Sequence, residues 1–337
     1  MRSSQPIPIN ALRILSVSNG DYRTRTSATR KKLAPILRAI AGWRFARSCR
    51  IIIAQMAHLL SLSDAVASFV RDGDIVAMEG FTHLIPFAAG HEVIRQGRRN
   101  LTLIRMTPDL LYDQLIGMGM ASKLVFSWGG NPGVGSIHRF RDAVENGWPR
   151  PIEIVEHSHA AMANAYDAGA AGLPCAFFRG YRGSEIAAVN PDIKFVKCPF
   201  TGEELACVPA NRPDVTIIHA QRADREGNVQ IEGIVGVQKA AVLAASKSIV
   251  TVEEVVDRFP PARFAAVILP HWTISAIAEV PGGAHPSYAH GYYDRDNAFY
   301  IAWDEISRDR GIFQEWMRKN VMESRPEDFS ARVKRVA

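Results

Sequence analysis

From Ser61 onward the apolar positions switch repeatedly between a helical period and short unbroken runs. Ala65, Val66, Phe69 and Val70 fall on one helical face, with Ser63 placed to cap the helix and Asp72-Gly73 to stop it. Ile75 to Met78 then reads as a short buried strand, Phe87 to Gln96 as a helix entered after Pro86, and Leu101 to Met106 as a strand. The alternation continues with a helix over Pro108 to Met120, Pro108 in its first turn and Asp109 near its positive end. A strand follows over Lys123 to Trp128, then a helix over Ile137 to Glu145 and a strand over Ile152 to Val155. An Ala-rich helix over His159 to Ala171 stops at Gly172-Leu173-Pro174. Periodic signals return at Val215 to His219, Val237 to Ala245, Ser248 to Val252 and Ala265 to Leu269, and one long amphipathic helix is predicted over Ile301 to Val321.

Repeated strand–helix–strand order predicts an α/β fold: an open, mostly parallel sheet with helices on both faces. Ligands in such sheets bind beyond the carboxyl ends of the strands, so the loops that follow strands are where chemistry is expected. The stretch 174–213 breaks the rhythm. It is rich in Pro and Gly and holds two short strand candidates, near Phe195 and Cys207, which marks it as an insertion or lid.

Residues 1–55 lack this patterning. They carry eleven Lys and Arg against one acid, Asp21, a local charge of +10 that leaves the rest of the chain at −4 although the whole is +6. The basic character therefore belongs to the leader, and a mildly acidic body argues against nucleic acid as a partner. An organelle transit peptide, a disordered basic arm and an upstream extension from a misassigned start all fit such a segment. The well-patterned helix that follows Met56 favours the last. The expected organisation is a leader over 1–55, a main domain over 56–325 and a tail over 326–337. No apolar run reaches the ~18 residues of a membrane span. Cys49, Cys175, Cys198 and Cys207 show neither zinc spacing nor a disulfide framework, so a reducing, cytoplasmic setting without a metal site is expected.

Several loops could carry chemistry. Glu79-Gly80-Phe81-Thr82-His83 follows the first strand, where glycine allows close backbone approach and exposed N–H groups can hold an oxyanion; an ordinary strand-to-helix turn reads the same way. Trp128-Gly129-Gly130-Asn131-Pro132-Gly133-Val134-Gly135-Ser136 feeds a helix with Ser136 as its candidate cap. Such a turn suits an anion, although it is neither a P-loop nor GxGxxG. His157-Ser158-His159 and Glu145-Asn146-Gly147 read as helix start and helix stop. Glu253 and Glu254 stand at a strand end, placed for acid–base work, a structural role or a partner contact. The loop from His285-Pro286-Ser287 through Tyr288, His290, Tyr292, Tyr293, Asp294, Asp296 and Asn297 has the density of Tyr, His and Asp typical of binding surfaces. No Gly-x-Ser-x-Gly elbow and no Cys–His pair is evident, so the chain offers no obvious nucleophile.

Four segments, DAVASFVRDGDIVAMEGFTH, ADREGNVQIEG, SIVTVEEVVD and GAHPSYAHGYYDRDNAF, taken in order and spacing, resemble the alpha-type subunits of class I coenzyme A transferases. The last points to the glutaconate branch. The resemblance runs from about Leu60 to about Val321 and implies a ping-pong transfer of CoA between an acyl-CoA and a small carboxylic acid, through a glutamyl-CoA thioester. It also implies that the reactive glutamate sits on a beta-type partner subunit, with CoA a substrate and no resident cofactor. By that resemblance Gly80, Phe81 and Thr82 line the acyl site near the oxyanion, and Ser127, Gly129, Gly130 and Asn131 contact the substrate acid. The sequence departs from the glutaconate pattern around 129–135 and across 176–200. Two other readings of the same fold are one half of a CoA-ester hydrolase and a non-catalytic module that binds CoA or a sugar phosphate.

Overall fold

Strand β2 (Ile75–Glu79) shows how the sheet is built: Val76 and Met78 pack into the core on one face, and Ala77 into the core on the other. This period-two division demands a layer of helices on each side. The structure is a computed structural model that describes residues 57–262, 265–325 and 328–333. The leader over 1–55, with Cys49, and half of the tail over 326–337 lie outside the described residues.

In chain order the main sheet begins with β1 (His58–Leu59), helix α1 (Leu62–Phe69), β2, α2 (Phe87–Arg95), β3 (Leu101–Ile104) and α3 (Leu110–Gly117). It continues with β4 (Ala121–Phe126), α4 (His138–Glu145), β5 (Glu153–Glu156) and α5 (His159–Ala170). A second, three-stranded antiparallel sheet follows, with β6 (Cys175–Phe178), the short helix α6 (Ile186–Val189), β7 (Lys194–Lys197) and β8 (Glu204–Pro209) in the order β6-β8-β7. The chain then returns through β9 (Val215–Asp224), β10 (Val229–Glu232), α7 (Gln238–Ala244), β11 (Lys247–Val256), β12 (Ala266–Leu269) and β13 (Ala276–Glu279). Helices α8 (Asn297–Arg308) and α9 (Arg310–Met317) follow, and α10 (Phe329–Arg332) lies last.

The order β1-β13-β11-β9-β2-β3-β4-β5 is parallel throughout, and β10 joins antiparallel between β9 and β12. The predicted α/β fold with an open, mostly parallel sheet is therefore the observed one. Helices α1, α2 and α3, with Trp303 of α8 and Phe313 of α9, cover one face. Met162 and Tyr166 of α5 and Ala241 of α7 cover the other, over β2 and β3. β9 lies at the centre, and its near-continuous burial explains why it reads as an apolar run rather than an alternation.

Several local expectations are corrected. Helix α1 is capped by Ser61, whose Oγ accepts from the Asp64 N–H at 3.1 Å, two residues before Ser63. Helix α3 starts after Asp109, which caps the Leu111 N–H, so Pro108 precedes the helix rather than opening it. Ser136 does not cap α4; its N–H donates to Asp304. The single helix expected over Ile301 to Val321 is two, broken at Asp309. That residue adopts extended backbone and caps the Ile312 N–H at 2.9 Å; a π turn over Arg318–Met322 ends the second helix. Within 174–213 the sequence marked two strands, and β6 is the third. Its alternate residues Ala176 and Phe178 pack with Ala206 and Val208 against Ala161 and Ala165 of α5.

Candidate active site

The carboxyl ends of β2, β3 and β4 open into three loops, and a cavity of about 200 Å³ lies among them. Phe81 and Thr82 line it from the first loop, Arg105, Thr107 and Asp109 from the second, and Trp128 and Pro132 from the third. Arg295 lines it from the distant segment between β13 and α8, Tyr300 from α8 itself, Ile85 from just before α2 and His159 from the start of α5. This is where an open α/β sheet places its ligands.

The first loop is tightly folded. A Cβ on Gly80 would stand 2.7 Å from the Leu84 carbonyl and 2.9 Å from Ile85 Cα, so only glycine fits. Thr82 and Leu84 both hold positive φ, 58° and 54°, where β-branched and bulky residues are rare. The loop is locked by the 285–297 segment that the sequence marked as a binding surface. The Ser287 hydroxyl donates to Thr82 O at 3.0 Å, and the Leu84 N–H donates to Tyr288 O. The His290 N–H donates to His83 Nε2 at 3.0 Å, which leaves the His83 proton on Nδ1, facing Ile234 O at 3.3 Å. Burial holds the His83 imidazole down to about 4, so it is neutral at neutral pH.

Beneath the loop lies a buried ionic layer. Arg105 is fully buried and makes a bidentate pair with Asp109, at 3.0 and 3.2 Å, while also donating to Gly80 O at 3.0 Å. Its guanidinium thereby ties the first loop to the N-terminus of α3. Glu79 Oε1 accepts from the Met106 N–H at 3.0 Å and from the Tyr166 hydroxyl at 2.8 Å. Burial pushes the Glu79 carboxyl up to about 7, against the opposing pull of Arg105 and both hydrogen bonds.

Gly80, Phe81 and Thr82 are brought together at the cavity, the last two lining it directly. The residues of 127–131 take other positions. The Ser127 hydroxyl donates to Met106 O at 2.6 Å, the Gly130 N–H to Pro108 O, and the buried Asn131 amide to Tyr300 O at 2.7 Å. These bonds shape the loop, and Trp128 and Pro132 are the residues it presents to the cavity. Glu253 and Glu254 part company. Glu253 is buried with His219 at 2.8 Å, accepting also from the Tyr293 hydroxyl and the Gly282 N–H, as a structural hub would. Glu254 is partly exposed and pairs with Arg222 and Tyr292. Neither lines the cavity.

Sequence reasoning missed Arg105, Thr107, Arg295 and Tyr300 as lining residues, whereas Trp128 falls within the glycine-rich loop that the sequence marked. Arg105 carried a readable signal, a charge set between Leu103-Ile104 and Met106, because arginine is almost never fully buried without a partner. Arg295 carried none, since an arginine in a polar loop reads as solvated.

Residues 59–279 match the coenzyme A transferase family. The chain is 63% identical over 275 residues to the A subunit of 3-oxoadipate CoA-transferase from Pseudomonas knackmussii, covering 82% of this chain and 96% of that one. It is 30% identical over 295 residues to the A subunit of glutaconate CoA-transferase from Acidaminococcus fermentans, covering 81% and 90%. The crystal structure of that glutaconate enzyme superposes with a TM-score of 0.75 over 82% of this chain and 92% of that one. A more distant relative, 26% identical over 196 residues and covering 55% and 66% of the two chains, is a cholesterol ring-cleaving hydrolase IpdA subunit of Rhodococcus jostii. The chain belongs to the coenzyme A transferase family. Within it the chain is of the A-subunit type, as its alpha-type signatures imply.

Proposed function

We propose that this chain forms the acyl-binding half of a two-subunit CoA-transferase that exchanges CoA between a short dicarboxylic acid of the 3-oxoadipate type and a second acid. The observation that carries the reading is the 63% identity across nearly the whole of the A subunit of a 3-oxoadipate CoA-transferase. The cavity chemistry supports it. The one carboxylate among its described lining residues, Asp109, is held by Arg105, and Glu79 is buried behind the loop. A nucleophilic glutamate is therefore assigned to the partner subunit.

In this reading the partner's carboxylate attacks the thioester carbonyl of the acyl-CoA. The C–S bond breaks, releasing CoA thiolate and leaving an acyl-glutamyl anhydride. The thiolate then attacks the glutamyl carbonyl, expels the acyl group as a free carboxylate and leaves a glutamyl-CoA thioester. An incoming acid reverses both steps. Coenzyme A is thus a substrate, not a resident cofactor. A carboxylate is a weak nucleophile in water, so orientation and exclusion of water must lower the barrier. The contribution of this chain is the fixed loop Gly80-Phe81-Thr82, whose backbone N–H groups would stabilise each tetrahedral oxyanion, and the apolar wall of Phe81 and Trp128.

The test is to incubate the two-subunit complex with acyl-CoA, then digest it and analyse the peptides by mass spectrometry. A CoA thioester on a glutamate of the partner is the expected result; a thioester on a peptide of this chain would overturn the assignment. Release of free acid and CoA without exchange into an added acid would point instead to a hydrolase.

A further inference from the structure

We propose that Arg295 is the specificity-determining residue of the cavity and recognises the distal carboxylate of a dicarboxylyl group. The proposal rests on the reading above that the acyl group enters here, and it adds the residue that selects the substrate class.

The two guanidinium groups at the cavity are not equivalent. Arg105 is fully buried and neutralised by its bidentate pair with Asp109. Arg295 is half-buried, its guanidinium carbon 3.8 Å from the centre of the Tyr300 ring, and it donates to Pro132 O at 3.0 Å. Among the described residues no carboxylate forms an ion pair with it within 4.0 Å. Arg105 and Asp109 cancel, so Arg295 leaves the described lining with a formal charge of +1. Stacking on Tyr300 and the bond to Pro132 fix the plane of the guanidinium before any ligand arrives. A pre-set planar fork of N–H donors matches a carboxylate in both charge and shape.

Phe81 and Thr82, where the thioester carbonyl is expected, lie in the first loop, and Arg295 comes from the separate segment before α8. A volume of about 200 Å³ holds a short chain of several carbons. A carboxylate drawn partly out of water there is favoured by a cation beside it. A monocarboxylic acyl group of equal length would instead leave Arg295 without a partner, so the residue acts for one class and against the other.

The experiment uses the two-subunit complex with wild-type chain, Arg295→Gln and Arg295→Lys, and two six-carbon probes, adipyl-CoA and hexanoyl-CoA, whose consumption is compared as kcat/KM. Only the first keeps a free carboxylate on its acyl chain. Wild type is expected to consume adipyl-CoA about 10- to 100-fold more efficiently than hexanoyl-CoA, the range of a charge-assisted bidentate pair. In Arg295→Gln that preference should collapse to within a few-fold, the loss falling on adipyl-CoA. Arg295→Lys should retain part of it, which keeps the result distinct from a folding defect. Equal loss on both probes in Arg295→Gln, an intact adipyl preference, or no adipyl preference in wild type would each overturn the proposal. Transfer of CoA to an added acid, measured on the same preparations, separates the two readings: selective consumption of adipyl-CoA without transfer would sink the transferase reading and leave Arg295 as the selector.

Discussion

At the scale of single residues, the cavity depends on a backbone that tolerates little change. A methyl group on Gly80 would collide with backbone atoms of Leu84 and Ile85, which cannot rotate away. Gly80→Ala is expected to cost about 1–3 kcal/mol, read as a lowered midpoint in urea, and to slow CoA transfer at least about tenfold because the oxyanion loop moves. An unchanged midpoint would show the loop to be looser than its contacts indicate. Glu79 gives a pH signature. Its carboxyl is raised to about 7 in the folded chain from an ordinary 4.5, so the native state holds the proton more firmly than the unfolded state. Its contribution to stability is therefore complete below about 4.5 and is lost as pH rises through about 7, a difference on the order of 3 kcal/mol. Glu79→Gln keeps the oxygen that accepts from Met106 and Tyr166 and cannot ionise. The stability of wild type relative to Glu79→Gln should thus fall between pH 4.5 and pH 8, and a flat difference would contradict it. The adjacent pair Glu253 and Glu254 should respond differently. Glu253→Ala strands His219 in the core and should cost about 3–5 kcal/mol, whereas Glu254→Ala should cost under about 1 kcal/mol in equilibrium unfolding. The sequence marked both carboxylates alike, because burial, not adjacency, separates them.

At the scale of elements, the apolar rhythm was readable wherever one face of a strand or helix met the core. The strands from β2 to β5 and the helices between them fall close to where the periodicity put them. What failed was punctuation. The period continues across Asp309, so the sequence reads one helix where the chain makes two. The competing signal was Asp309-Arg310-Gly311, an acid that caps better than it propagates, followed by a helix-weakening glycine. Asp309→Ala is expected to cost about 1 kcal/mol by chemical denaturation, the worth of an N-cap, and no loss would mean the break is imposed by packing alone. β12 falls where the sequence shows its strand signal, at Ala265 to Leu269, whereas β10 was hard to foresee because its antiparallel pairing with β9 and β12 departs from the strand–helix–strand pattern.

At the scale of the whole molecule, the site is assembled from segments about two hundred residues apart in sequence. Phe81 and Thr82 meet Arg295 and Tyr300 only because β2 and the segment after β13 end on the same side of one sheet. The glycine-bearing first loop was legible as a candidate site, since its position after a strand and its small residues advertise it. The cation across the cavity was not, since its role comes from Tyr300, Pro132 and the cavity wall, which only the fold brings around it. The same assembly leaves no unpaired carboxylate on the described cavity wall, which is why the chemistry is assigned to two chains.

The most direct test of that division is to measure CoA transfer from an acyl-CoA to a second acid with this chain by itself, with its partner by itself, and with the two combined. The account predicts turnover only in the combined preparation, abolished when the partner's reactive glutamate is replaced by alanine. Full-rate transfer by this chain on its own would contradict it.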